Sequence, residues 1–147
     1  MKKLIYILLL ALAAGMTGKA QTAAPPAEGK TVSLDKAAFL SKVADYVTTR
    51  EWKYLGDKPA LIDFYADWCG PCKVIAPSLE ELAETFKEQI YVYKIDIEAE
   101  RELAALFNVR SIPFLLFIPM GENPQYVSGA VPKHYLDEII HKVLLKQ

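Results

Sequence analysis

Between residues 60 and 145 the apolar positions change period several times, and each change marks an element. Ala60 to Ala66 is apolar on both faces apart from Asp63, as expected of a strand in the middle of a sheet. From Lys73 to Lys87, the residues Ile75, Leu79, Leu82 and Phe86 recur at spacings of four, three and four. That period predicts a helix with one buried stripe. Pro77 lies inside it, lacks an N–H and crowds the carbonyl of Lys73, so a kink is expected there. Ile90 to Ile97 predicts a second strand. Glu98 to Phe107 predicts a short helix with Leu103, Leu106 and Phe107 inward. Ile112 to Ile118 predicts a third strand, and Gln125 to Gly129 a fourth after the Met120 to Pro124 turn. Lys133 to Leu145 predicts a closing helix with Leu136, Ile140, Val143 and Leu144 on its apolar side.

Upstream, Leu34, Ala38, Val43 and Val47 are spaced for a short helix over Ser33 to Tyr46, with Asp35 as its N-cap. Thr48 to Pro59 predicts a loop in which Trp52, Tyr54 and Leu55 pack as a lid and Gly56 to Pro59 forms a turn. The order α-β-α-β-α-β-β-α implies an α/β fold, with a central mixed β-sheet flanked by helices on both faces. Strands separated by helices are expected to pair in parallel, and the last two as a hairpin.

The N-terminus has a different pattern. Met1-Lys2-Lys3 is a short positive stretch, Leu4 to Ala14 is apolar, and Gly18-Lys19-Ala20 fits a small-x-small cleavage site. Residues 1–20 are expected to be a signal peptide, with Gln21 as the mature N-terminus. The alternative is an uncleaved membrane anchor, but the apolar run is shorter than the ~20 residues a spanning helix needs. No cysteine follows the run, which excludes lipoprotein attachment. Residues 21–32, with Ala-Ala-Pro-Pro-Ala-Glu-Gly, read as a flexible lead-in, leaving 33–147 as the folded domain. Cleavage removes Lys2, Lys3 and Lys19 and no acid, taking the formal charge from −1 to −4. The absence of a basic patch argues against nucleic acid as a partner.

The chemistry concentrates in Trp68-Cys69-Gly70-Pro71-Cys72, which holds both cysteines of the chain. Two cysteines cannot make a disulfide scaffold, and C-x-x-C between a strand and a helix is a redox spacing. A helix start carries unpaired N–H groups and partial positive charge, which stabilise a thiolate at Cys69 and make it the exposed nucleophile. Cys72 lies roughly one turn on, within reach of a small disulfide ring. Pro71 sits in the first turn, where its missing N–H costs nothing. Gly70 lets a partner chain approach closely.

Three features break the local pattern. Asp63 stands among Leu61, Ile62, Phe64 and Tyr65, where a buried carboxylate is costly and its pKa should rise; the alternative is a strand-edge acid facing solvent. Lys94 is the matching anomaly in the next strand. It either lies near Asp63 and partly offsets its burial, or packs its stem and sends its head to water. Ile112-Pro113 opens an apolar strand, either as a tolerated trans proline or with a cis bond. His134 and His141, seven residues apart, miss the usual spacing of paired zinc ligands, so no metal is expected.

Trp-Cys-Gly-Pro-Cys-Lys, preceded by Asp-Phe-Tyr-Ala-Asp, closely resembles the thioredoxin family, and the likeness runs from about Lys58 to Leu145. The resemblance implies a thioredoxin fold and extends to separated positions. Asp63 falls at the family's buried acid, Lys94 at the lysine near it, and Pro77 at the proline of the active-site helix. Ile112-Pro113 matches its cis-proline, and Gly129 the glycine that helps form the groove for the target. The chain departs from the pattern in its longer segment from Glu28 to Lys58 and in Tyr65, where tryptophan is common. It departs also in Val131-Pro132, in place of a polar helix cap, and in the export signal.

The resulting expectation is a monomeric, cofactor-free protein-disulfide reductase of the periplasm. Cys69 attacks a disulfide of an exported protein, Cys72 resolves the mixed disulfide, and Asp63 takes its proton. Ile112, Pro113 and Gly129 shape the groove, Trp68 adds an apolar contact, and an inner-membrane thiol carrier resupplies electrons. A disulfide oxidase or isomerase on the same fold is the alternative. A redox-inert binding subunit is a further one, against which the intact Cys69 and Cys72 argue.

Overall fold

The computed structural model describes residues 29–49 and 51–147; the expected signal peptide and its cleavage site lie outside them. In chain order the elements are β1 (Val32–Ser33), α1 (Lys36–Lys42), β2 (Ala60–Tyr65), α2 (Gly70–Thr85), β3 (Tyr91–Asp96), α3 (Arg101–Leu106), β4 (Phe114–Ile118), β5 (Gln125–Ser128) and α4 (Lys133–Ile139). A π-helical segment, Ile140–Leu145, continues α4. The five strands form one mixed sheet in the order β1-β3-β2-β4-β5.

Period-two alternation along the strands sorts side chains to two faces. Ile62, Phe64, Tyr93, Ile95, Phe114 and Leu116 meet α1 and α3 in one core. Leu61, Val92, Leu115 and Phe117 meet α2 and α4 in the other. The expected mixed sheet with helices on both faces is the observed architecture.

One strand direction differs from expectation. β3 pairs with β2 in parallel, but β4 pairs with β2 antiparallel, with Phe64 opposite Phe114 and Ala60 opposite Ile118. The 97–113 connection, which includes α3, leaves and re-enters the sheet at the same end, so β4 starts where β2 finishes and runs back along it.

β1 straddles the expected boundary at residue 33: Val32 and Ser33 pair in parallel with Tyr93 and Lys94. Two residues are too few for periodicity to reveal. The first helix is shorter than expected. Asp35 caps it by accepting from the Ala38 amide at 2.7 Å. It ends at Lys42, and Asp45 then accepts the amides of Val47 and Thr48, which favours a turn over another helical turn. Val47 is consequently exposed, and Phe39 is the buried residue of α1. In the loop, Trp52 and Tyr54 pack on the core as expected of a lid, whereas Leu55 is exposed. α4 starts at Lys133, with Pro132 as its N-cap and no side-chain cap hydrogen bond.

Candidate active site

β2 runs into the site and α2 runs out of it. Cys69 is the N-cap of α2, in extended backbone conformation, and its Sγ accepts the Cys72 amide at 3.2 Å. The helix thus begins at Gly70, three residues before the apolar period shows it, because a cap and a proline carry no apolar signal. It continues through Pro77 to Thr85. Cys69 and Cys72 are joined in a disulfide, with Cα atoms 5.3 Å apart.

The two sulfur residues are about equally covered, Cys69 at 3% and Cys72 at 4% exposure, which corrects the expectation of an exposed Cys69. Ala66, Tyr65, Ile97 and Ile112 pack around the pair. Cys72 continues the buried stripe of Ile75, Leu79 and Leu82 toward the sheet. Trp68 and Val74 flank the pair and are largely exposed. A Cβ placed on Gly70 would meet nothing within 4 Å, so the space above the turn is open.

Asp63 is the one buried charged residue among those described, with 5% exposure. It alternates with Ile62 and Phe64 and so shares the α2 face with Leu61. Its Oδ1 is buried without a hydrogen-bond partner among the described residues. Burial pushes the carboxyl up to about 7, against the pull of Lys94, which lowers it. Lys94 lies directly across from Asp63 in the β2–β3 register and is half-buried, which places it beside the acid as expected.

The third wall comes from far along the chain. Ile112-Pro113 is a cis peptide, and β4 starts after it at Phe114 rather than at Ile112. Gly129, with φ +94°, donates its N–H to the Pro113 carbonyl at 2.8 Å and ties the end of β5 to the proline turn. A positive φ of that size favours glycine. Beside this turn is an open depression of about 360 Å³ whose lining includes Arg110, Ser111, Phe114, Tyr126 and Ser128. Tyr126 is largely exposed and stacks on Phe114 with ring centroids 4.8 Å apart. Sequence reasoning missed Ile97, Arg110 and Tyr126; an exposed aromatic in a short polar strand was the available signal for Tyr126. A larger depression of about 670 Å³, lined by Trp52, Tyr54 and the Met120–Asn123 turn, lies at the other end of the sheet and contains none of these residues.

His134 and His141 lie on the closing helical segments, and no cluster of three or more His, Cys, Asp or Glu among the described residues is placed to hold a metal ion. A cysteine pair that caps the helix leaving the central strand of such a sheet defines a thiol–disulfide oxidoreductase of thioredoxin fold. The chain belongs to the thioredoxin family: the family's profile, Thioredoxin, matches residues 30–142. It is 39% identical over 109 residues to a thioredoxin of Borreliella burgdorferi, covering 74% of this chain and 93% of that one. It is 40% identical over 88 residues to a thioredoxin of Porphyra purpurea, covering 60% and 82%. Among solved structures, a mutant thioredoxin from Halobacterium salinarum NRC-1 superposes with a TM-score of 0.63 at 29% identity, covering 81% of this chain and 95% of that one. These similarities and the Cys69–Cys72 pair make the protein a protein-disulfide reductase. Much of the segment from Glu28 to Lys58, read as an extension, falls within the span matched by the family.

Proposed function

We propose that this protein is exported and reduces disulfides of other exported proteins, with Cys69 attacking, Cys72 resolving and Asp63 accepting the Cys72 proton. The observation that carries the assignment of roles is the buried Asp63, facing the helix whose buried side holds Cys72.

In the reduced protein, the Cys69 thiolate attacks one sulfur of a target disulfide and expels the other as a thiolate. Cys69 is then bonded to the target. Cys72 gives its proton to the Asp63 carboxylate, attacks Cys69 Sγ and releases the second target sulfur. Two electrons have passed to the target, and the Cys69–Cys72 disulfide has formed. A carboxyl at about 7 is divided between its two forms near neutral pH, as a proton acceptor should be. The open space over Gly70, the exposed Trp68 and the cis Pro113 turn held by Gly129 support a groove for an extended target segment.

Export rests on the charged, apolar and small-residue regions of residues 1–20. A reductant in an oxidising compartment needs resupply, so a membrane thiol carrier donates the two electrons, and the working species is a monomer without cofactor. Equilibration of the pair with glutathione tests the direction of electron flow. The expected potential is near the roughly −270 mV of thioredoxin itself; a value near −120 mV marks a disulfide oxidase instead. Intact mass of the protein from a periplasmic extract should begin at Gln21, and a mass beginning at Met1 rules out cleavage.

A further inference from the structure

The segment that leads into β1 is fastened to the active-site helix. The Thr31 amide donates to Glu80 Oε2 at 3.1 Å, and the Thr31 hydroxyl donates to Glu80 Oε1. Gly29, at φ +78°, packs so closely on Glu84, one turn further on, that a Cβ there would clash with its carboxylate. Past Thr31 the chain enters β1, where Ser33 sits in register with Lys94 and the Leu34 amide donates to the Lys94 carbonyl at 2.9 Å. One short stretch therefore holds both Glu80 on α2 and the backbone of Lys94 on β3. Lys94 is in turn opposite Asp63 on β2.

We propose that Glu80, clasped by Thr31, is a positioning residue for the Asp63 proton: it shares the Lys94 ammonium and limits how far that ammonium stabilises the Asp63 carboxylate. This rests on the reading of Asp63 as the proton acceptor. The ammonium acts on both carboxyls. Burial raises Asp63 and Lys94 lowers it. Partial burial raises Glu80 too, but the Thr31 hydroxyl and amide, with Lys94 and Lys30, outweigh it and the net direction is down. A Glu80 carboxylate that shares the Lys94 ammonium offsets the cation, and so keeps the Asp63 proton on.

The surrounding elements carry other titratable groups. β3 carries Tyr91, Tyr93, Lys94 and Asp96, α2 carries Cys72, Lys73, Glu80, Glu81 and Glu84, β2 with its following turn carries Tyr65 and Asp67, and α4 with its continuation carries Lys133, His134, Tyr135, Asp137, Glu138, His141 and Lys142. β4 contributes only Phe114 to Ile118, all apolar. Glu81 pairs with Lys133 on α4 and Glu84 with Lys87, whereas Glu80 is held by the segment that enters β1 and is the acid of α2 on which Lys94 also acts.

The test is the titration of the Asp63 carboxyl by carbon-13 NMR on the full disulfide-form protein. Glu80→Gln should lower the Asp63 midpoint by roughly half a pH unit or more. Thr31→Val should move it the same way by less. In a Lys94→Met background, the Glu80→Gln shift should fall to under half its size, because the path through the ammonium is gone. An unmoved midpoint in Glu80→Gln, or an undiminished shift without Lys94, overturns the proposal, as does an upward shift in Thr31→Val. The titration reads the carboxyl whether or not it accepts a proton from Cys72. That role fails separately, if the pH profile of target release ignores the shifted midpoint.

Discussion

The two faces of the sheet are built to different rules, although the same strands supply both. On the α1/α3 face, Phe64 meets Phe107 and Phe114 at centroid distances of 5.6 and 5.8 Å, and Phe39 and Trp52 also meet Phe107 in edge-on contacts. The buried residues of that core are apolar apart from the Tyr93 hydroxyl. On the α2/α4 face, the next residue of the same strand is Asp63, buried without a hydrogen bond to its Oδ1. Alternation lets one strand do both, because neighbours along it point to opposite sides. One face supplies the cohesion that allows the other to hold a costly carboxyl.

The largest effects are expected at the cysteines. Cys69→Ser should abolish turnover in an insulin-reduction assay with little loss of fold. Cys72→Ser should instead accumulate mixed disulfides with targets, visible on non-reducing gels. Trapping by Cys69→Ser but not by Cys72→Ser reverses the roles.

Next in size is the aromatic face. Phe64→Ala should cost about 3–5 kcal/mol in urea unfolding, from lost burial and the cavity left among Phe107 and Phe114. A loss under about 1 kcal/mol would mean that this face does not supply the stability.

Asp63→Ala should do the reverse and stabilise the protein while slowing target release. The folded carboxyl is raised to about 7 from an ordinary 3.8. Below the unfolded value both states are protonated and no penalty exists. As pH rises through that value the unfolded chain ionises first, and wild-type stability falls until the folded carboxyl also ionises near 7. The variant's advantage should therefore be larger at pH 8 than at pH 5, by on the order of 2 kcal/mol. Equal advantages in urea melts at the two pH values would contradict the burial argument.

The smallest effect is expected at a site belonging to neither sulfur nor core. Asp35→Ala removes the cap of α1 and should cost about 1 kcal/mol with no change in the disulfide's equilibrium with glutathione. A shifted equilibrium would show that the α1 end communicates with the cysteines.

Much of this was legible beforehand. The four-three-four spacing of Ile75, Leu79, Leu82 and Phe86 marked the face α2 buries, and those four residues are buried. Asp63 stood out because a carboxylate in an apolar run is either buried or at an edge, and the likeness to thioredoxins identified Ile112-Pro113 as cis, as observed. β1, the direction of β4 and the equal cover of Cys69 and Cys72 were not legible.

Which residues alternate or recur is written in the chain, and with it the longer elements, the C-x-x-C turn and the anomaly at Asp63. These are local properties, set by spacings of two to four residues along one stretch. Folding in three dimensions sets Lys94 opposite Asp63, lets Gly129 hold the Pro113 turn and brings Thr31 onto Glu80. Each joins residues far apart in the chain. Such contacts depend on strand order, register and connection length, which short-range periodicity does not encode.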